Sequence, residues 1–330
     1  MTQAHETPSM EWRVLSDMVL PPGRAPDNDL LTSGLLVAEF ALPLERPQVL
    51  LRAEGEAQLS LYADPEAGIT LTHRQGARLV NHRLAGALPA LRATARVSFR
   101  FEARSGRWRM ELRVIGSPGH DRAAPGVGAM AIRVAELQVA RRANALLWYG
   151  LTEAQSLPAH APWIGPQSLI DTTRGPVAAR DLAPGDGILT LDEGALPLHR
   201  LIPRRLPARG SFAPILLRSP FFGLTSDILV SADQPILISG ASVEYLCGTE
   251  EALVPALALC DGSLAQREER RPVIEGLALD LGRPALILVD GCCLMSHAAP
   301  GEVAPRRTLA DWETTPLLAL LGRVALRHVA

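Results

Sequence analysis

Between Thr94 and Ile115 the chain alternates apolar and polar residues, breaks once, and alternates again. Val97, Phe99 and Phe101 share one parity, and Arg96, Ser98, Arg100 and Glu102 the other. After residues 103–106 the pattern resumes, with Trp108, Met110, Leu112 and Val114 set against Arg107, Arg109, Glu111 and Arg113. A period of two sends successive side chains to opposite faces of an extended strand. A helix would spread the same residues around its circumference. Gly106 supplies the positive φ that a tight reversal needs. The unit therefore reads as a hairpin with one core face, which commits this half of the chain to sheets that bury one side.

Other short β-prone runs surround it. Residues 34–42, 58–62 and 69–72 read as strands, and a further strand is expected over residues 131–140. About seven strands with turn signals between them suggest a β-sandwich of jelly-roll type. The hairpin, with Gly106-Arg107-Trp108 opening its second strand, resembles those of concanavalin-type and laminin-G-like sandwiches, many of which bind glycans. The polar parity places Arg96, Arg100, Arg107, Arg109 and Arg113 on one expected face. That face is either a candidate site for an anionic sugar or a solvated surface interleaved with Glu102 and Glu111.

The character of the chain changes after Gly150. Residues 151–162 carry two prolines and no period, and read as a linker between a sandwich at 1–150 and a second domain at 163–300. Residues 301–330 form a C-terminal extension. Within it Thr315 and Pro316 read as a helix start, with Leu317, Leu320, Leu321 and Val324 at helical spacing. Charge shifts across the linker. Residues 1–162 hold 18 arginines against 16 acids, and the remainder 15 against 19. The overall net charge of −2 argues against a general nucleic-acid binder. All 33 basic residues are arginine, which fits the Ala-, Leu-, Gly- and Pro-rich composition of GC-rich coding. No run of eighteen apolar residues suggests a membrane span. The first residues lack a charged segment followed by an apolar one, so the default expectation is cytoplasmic, with signal-independent export open.

The second half is strand-rich at residues 169–170, 187–191, 214–218, 227–231, 235–238 and 285–289. Here four blocks occur in order. The first is Ser168-Leu-Ile-Asp-Thr-Thr-Arg-Gly175 leading to Leu182-Ala-Pro-Gly-Asp186 and Ile188-Leu-Thr190. Next come Asp227-Ile-Leu-Val-Ser-Ala-Asp-Gln-Pro-Ile-Leu-Ile238 and Leu253-Val-Pro-Ala256 with Cys260-Asp-Gly262. The last is Leu277-Ala-Leu-Asp280 with residues 285–291, expected as a strand pair. Together these resemble Hint domains, the Hedgehog/intein-type modules, in the bacterial form carried near the C-terminal end of a longer protein. The resemblance implies an all-β second domain and a self-processing chemistry. In that chemistry a first-position Cys or Ser attacks the preceding carbonyl. A Thr/Ser-x-x-His pair activates the scissile peptide, the His protonating the departing nitrogen.

Carried over residue by residue, both requirements fail. Matching Pro166-Gln-Ser-Leu-Ile170 to the family's Pro-Gly-Thr-Leu-Ile places Trp163 at the nucleophile position, and indole offers no nucleophile for this step. The second motif reads Ser231-Ala-Asp-Gln234, with a neutral amide where the His should stand. Ser168 falls five residues too late and Ser156 precedes the domain. Residues 291–296 hold no Asn for an intein-type junction.

Other constellations are slight. Cys292, Cys293 and His297 could offer three metal ligands without an evident fourth. Asp186 reads as a turn residue, and Gly126-Val-Gly128 as an isolated glycine-rich turn. The expected protein is all-β: a sandwich, a Hint-type domain with its processing residues replaced, and a short C-terminal helix. No cofactor is expected. Its expected role is a binding or structural module for an unknown protein or glycan, with no nucleic-acid or membrane partner. The alternatives are a self-cleaving protein cut near residue 163 and a glycan-binding sandwich.

Overall fold

The computed structural model describes residues 12–16, 29–55, 57–157, 161–299, 301–310 and 312–318. Chain contacts divide it into two units, Met1–Leu157 and Pro158–Ala330.

The first unit is built from strands β1 (Trp12–Leu15), β2 (Ser33–Leu42), β3 (Gln48–Ala53), β4 (Ala57–Asp64), β5 (Gly68–Gln75), β6 (Arg78–Ala85), β7 (Ala93–Glu102), β8 (Arg107–Val114), β9 (Arg122–Val127) and β10 (Leu146–Thr152). One sheet runs β1-β10-β2-β7-β8-β9. The other runs β3-β4-β5-β6, extended at the β3 edge by Arg141–Arg142. The β7–β8 hairpin forms as expected, with Val97 opposite Leu112, Phe99 opposite Met110 and Phe101 opposite Trp108, and Gly106 takes φ +70° in the turn. These side chains join Leu36, Phe40, Leu61 and Ile69 of both sheets in one core. The unit is therefore a sandwich, because each sheet buries the face its period-two pattern marks as apolar.

Three expectations for this unit need correction. Residues 131–140 do not form a strand. After a two-residue bridge at Ile132–Arg133 the chain turns into helix α1 (Val134–Gln138). Val134 and Leu137, three apart, are both buried, and the Glu136 carboxylate accepts the Ala57 N–H at 2.8 Å. A three-residue spacing of apolar groups suits a helical turn and not a pleat. The expected linker also loses its first two residues, since β10 continues through Leu151 and Thr152, both fully buried. The third correction concerns Arg96, which is 2% exposed and donates from Nε to the buried Glu39 carboxylate at 2.9 Å. Trp148 Nε1 donates to the other oxygen of Glu39 at 2.8 Å, and Trp12 packs edge-on against Trp148 at 6.1 Å. Parity placed Arg96 correctly on the face away from the core, but that face is itself covered here. A buried guanidinium persists only with its charge and donors engaged.

The second unit holds β11 (Leu169–Thr172), β12 (Gly175–Ala178), β13 (Gly187–Thr190), β14 (Gly194–Pro197), β15 (Arg200–Pro207), β16 (Ile215–Leu217), β17 (Ile228–Val230), β18 (Pro235–Ser239), β19 (Glu251–Pro255), β20 (Ala265–Arg267), β21 (Val273–Asp280), β22 (Leu286–Val289) and β23 (Cys292–Met295). The largest sheet has the order β12-β11-β13-β22-β23-β18-β19, with β14 against β13. A long hairpin pairs β15 with β21, and a third sheet runs β17-β16-β20. The expected pairing of residues 277–280 with 285–291 is not made: β21 pairs β15, and β22 pairs β23. Residues 285–291 instead form the tight β22–β23 hairpin around Asp290 and Gly291. Residues 312–318 are helical, with Leu317 buried. This helix starts earlier than Thr315, and the Glu313 carboxylate accepts the Ala310 N–H at 3.0 Å and so satisfies a backbone donor ahead of the first turn. Leu320, Leu321 and Val324 lie outside the described residues. Among the described residues no helix is long and apolar enough to cross a membrane.

The sandwich core also contains two histidines on one face of adjacent strands. His73 is 1% exposed and His82 is fully buried, its ring 4.9 Å from Phe99 and 5.0 Å from Trp108. Both ring nitrogens of His82 lack a hydrogen-bond partner. Burial drives each imidazole down to about 4; the Arg78 charge adds to the effect at His73, and the His73 charge at His82. The fold thus holds both neutral. Above the unfolded value near 6.5 they have no effect on stability. As pH falls from there towards 4, the unfolded chain takes up protons that the native state refuses, and stability is lost. Between pH 7 and 4.5 each histidine removes about 2 kcal/mol. Urea unfolding of His82→Leu is expected to show a loss smaller by about that amount. An identical loss in both proteins would show that His82 does not titrate this way.

Candidate functional site

Residues 163–165 enter the second unit as a short extended segment between two strands. Ile164 exchanges both backbone hydrogen bonds with Leu277 of β21, at 3.0 and 2.8 Å. On its other side the Trp163 carbonyl accepts the Ser231 N–H at 2.9 Å, and the Gly165 N–H donates to the Leu229 carbonyl at 2.6 Å. Ile164 therefore bridges to Leu277 and Val230 at once. The segment joins the β15–β21 hairpin to the β17-β16-β20 sheet.

This pairing brings two of the sequence-derived residues together. The Trp163 N–H points at Ser231 Oγ, at 3.3 Å. The peptide linking residue 162 to Trp163 is thus the one the Ser231 hydroxyl meets. The indole goes elsewhere. It is 4% exposed and packs with Leu206, Ala208, Ile274 and Ala278 in a separate small core. It lies flat against Gly276, where a Cβ would overlap indole carbons Cε3 and Cδ2. Beside the junction a cavity of about 20 Å³ touches Trp163, Ser231 and Asp233, among others, space for about one water.

Gln234 is 1% exposed, on the turn that links β17 to β18. Its Nε2 donates to the Met295 carbonyl at 2.7 Å and to the Pro235 carbonyl at 3.2 Å. A carboxamide NH₂ has two hydrogens for two carbonyls, whereas a neutral imidazole has one. The side chain thus ties β18 to β23. Asp186 accepts the Ala183 N–H at 2.9 Å and pairs with Arg174 at 2.7 Å, closing the 183–186 turn.

The cysteine cluster does not converge. Neighbouring residues of β23 face opposite ways, so Cys292 is fully buried while Cys293 is partly exposed. Burial pushes both thiols up to about 12, so they stay protonated and poorly suited to metal or nucleophilic chemistry. His297 holds the Leu279 carbonyl through its backbone N–H. Among the described residues no group of three or more His, Cys, Asp or Glu could hold a metal ion.

On the sandwich, Arg107 pairs with Glu102 at 3.1 Å, Arg109 with Glu111 at 2.5 Å and Arg113 with Asp121 at 3.7 Å. Arg100 stands directly opposite Arg109 in the register and has no carboxylate at ion-pair distance among the described residues. These two arginines and Trp108 line a cavity of about 340 Å³. The expected five-arginine face is therefore four exposed arginines, three of them paired, two with the interleaved Glu102 and Glu111.

Sequence reasoning missed Gly276 and the double pairing of Ile164. The first shows only as an isolated glycine in a strand pattern, and the second leaves no compositional mark. Gly276→Ala would displace the indole or the hairpin backbone and is expected to cost about 2–4 kcal/mol. Trp163→Ala, which empties the same space, should cost about 3–5 kcal/mol. Chemical denaturation measures both; a change under 1 kcal/mol for either would mean the junction is not packed as described.

Residues 165–299 match the family model described as Hint domain. No curated protein matches the chain. Among solved structures it is similar to the sialidase CBM40 of Ruminococcus gnavus bound to α2,6 sialyllactose, at 11% identity over 38% of this chain and 79% of that one, with a TM-score of 0.24. It is also similar to the native heptameric SAP-like pentraxin from Limulus polyphemus, at 12% identity over 43% and 64%, with a TM-score of 0.18. The match of residues 165–299 agrees with the motif blocks read from the sequence, and this part of the chain is a Hint domain, preceded by a β-sandwich.

Proposed function

We propose that this Hint domain does not process itself and serves as a folded binding or structural module behind the sandwich. The observation that carries the reading is the state of residue 163. The processing reaction needs a thiol or hydroxyl there, attacking the carbonyl of the preceding residue. Trp163 has neither, and its ring is spent on packing against Gly276. The second requirement is a proton donor for the departing amide nitrogen. Gln234 titrates nowhere near neutral pH, and its amide hydrogens are engaged by Met295 and Pro235. Ser231 alone can polarise the junction amide, which neither forms an ester nor breaks the peptide.

The rival reading is self-cleavage near residue 163. Full-length protein incubated with dithiothreitol or hydroxylamine and read by intact mass should remain at 35.4 kDa. Two fragments of about 18 kDa each, in proportion to length, with a terminus at Trp163, would establish the rival.

A second reading concerns the sandwich. Like charges placed directly opposite across a sheet destabilise it, and of the Arg100–Arg109 pair only Arg109 has a carboxylate, that of Glu111, at ion-pair distance among the described residues. A bound anion would relieve that repulsion, and a cavity of about 340 Å³ bordered by Trp108 suits a sugar ring carrying a carboxylate or sulfate. On a glycan array, binding should be confined to acidic glycans and be lost in Arg100→Ala. Neutral glycans binding equally well, or no glycan binding at all, would remove this reading.

A further inference from the structure

The junction segment fills only part of the space between its two neighbours. At Ile164, β17 and β21 each lie one strand spacing away on opposite sides, so they stand about 10 Å apart, room for one strand between them. The segment leaves this slot after Gly165. Pro166 has no N–H with which to continue a ladder, and the Ser168 N–H turns back to the Gly165 carbonyl at 3.1 Å. Beyond that point no described strand pairs with residues 227–229 or 273–275 on this side, and a cavity of about 710 Å³ opens there, bordered also by Gln167 and Ser168.

The walls of this slot are unused sheet edges. In β21 the odd-numbered residues turn their backbone groups away from β15: Leu277 bonds to Ile164, and the Leu279 carbonyl accepts the His297 N–H. The even-numbered ones face β15's side, as the Asp280 carbonyl does in accepting the His199 N–H. By the same alternation Val273 and Glu275 present their N–H and C=O groups to the slot. Across from them Leu229, whose carbonyl already bonds Gly165, has the same orientation.

The rim is basic where it is unpaired. Arg180, Arg205 and Arg271 line the cavity. Arg180 has a contact to Asp181 at 3.6 Å. Arg205 and Arg271 have no carboxylate at ion-pair distance among the described residues. The acids nearby are largely committed. Asp227 holds Arg218 and the Ser219 N–H, and buried Asp290 accepts from the Leu169 N–H and the Ser226 hydroxyl. Glu275, exposed and opposite Arg205 in the register, is the remaining one.

We propose that this slot binds an acidic peptide segment in extended conformation, added as a strand between residues 227–229 and 273–275 with its carboxylates on Arg205 and Arg271. Backbone edges on both sides select a peptide over a small oxyanion, because a lone anion uses none of the carbonyls. Unpaired guanidiniums select acidic side chains, which they hold in two-pronged hydrogen bonds. The proposal stands whether or not the junction is chemically inert, since the slot lies beyond Gly165.

The test uses the full chain and a fluorescein-labelled pentapeptide of alternating glutamate and valine, followed by fluorescence anisotropy. Saturable binding is expected. It should weaken at least tenfold when the glutamates become glutamines, when the central amides are N-methylated, and in the Arg205→Glu/Arg271→Glu variant. Should that variant unfold, as judged by its melting transition, Arg205→Gln/Arg271→Gln takes its place with the same expectation. Absence of binding at millimolar protein overturns the proposal. So does N-methylated peptide binding as well as the parent, which would mean an oxyanion site without strand addition. Equal binding by the arginine variants would also overturn it.

Discussion

The second unit depends on one residue being paired on both sides. Ile164 hydrogen-bonds to Leu277 and lies between Trp163 and Gly165, which bond to Ser231 and Leu229. Without this segment the β15–β21 hairpin and the β17-β16-β20 sheet would face each other across an open gap with unsatisfied backbone groups on both edges. Burying such groups unpaired costs roughly as much as losing the hydrogen bonds outright. The segment removes that cost over three residues. It also fixes where residue 163 must stand, and that its N–H meets Ser231.

The junction chemistry follows from this constraint. In a self-processing Hint domain the first residue has to be held and also be free to attack, and a small side chain permits both. Here the same backbone holds a tryptophan whose ring completes a small core with Leu206, Ala208, Ile274 and Ala278. The ring needs a flat partner, supplied by Gly276, and leaves space for about one water beside the peptide. Gln234 has been turned to the same end, donating two hydrogen bonds that tie β18 to β23. In the proposed function both positions serve packing and hydrogen bonding where a processing domain would need a nucleophile and a proton donor.

Much of this was legible in the residues. The period-two hairpin and its core face followed from alternation, because burial on one face is what alternation encodes, and the left-handed turn followed from Gly106. Six of the thirteen strands described in the second unit followed from short branched-aliphatic runs bounded by Pro, Gly or Asp. Arg96 shows where the method stops. Parity gives the face of a side chain and says nothing of what covers that face, so a buried Arg96–Glu39–Trp148 cluster looked like solvent-facing charge. Residues 131–140 stop it differently, since a five-residue helix is too short for its period to outvote β-prone composition. The pairing of β21 with β15 rather than β22 is a matter of topology, which no local pattern carries.

Native-state hydrogen exchange at the Ile164 amide tests the central claim most directly. If residues 163–165 hold the second unit together, this amide opens only with global unfolding. Its protection should then equal that of the core amides of β18 and β22, and fall with added denaturant along the same slope. Exchange at the rate of an unprotected chain, with those core amides still protected, would mean that the junction frays independently. The account of Trp163 as a structural residue would then be wrong.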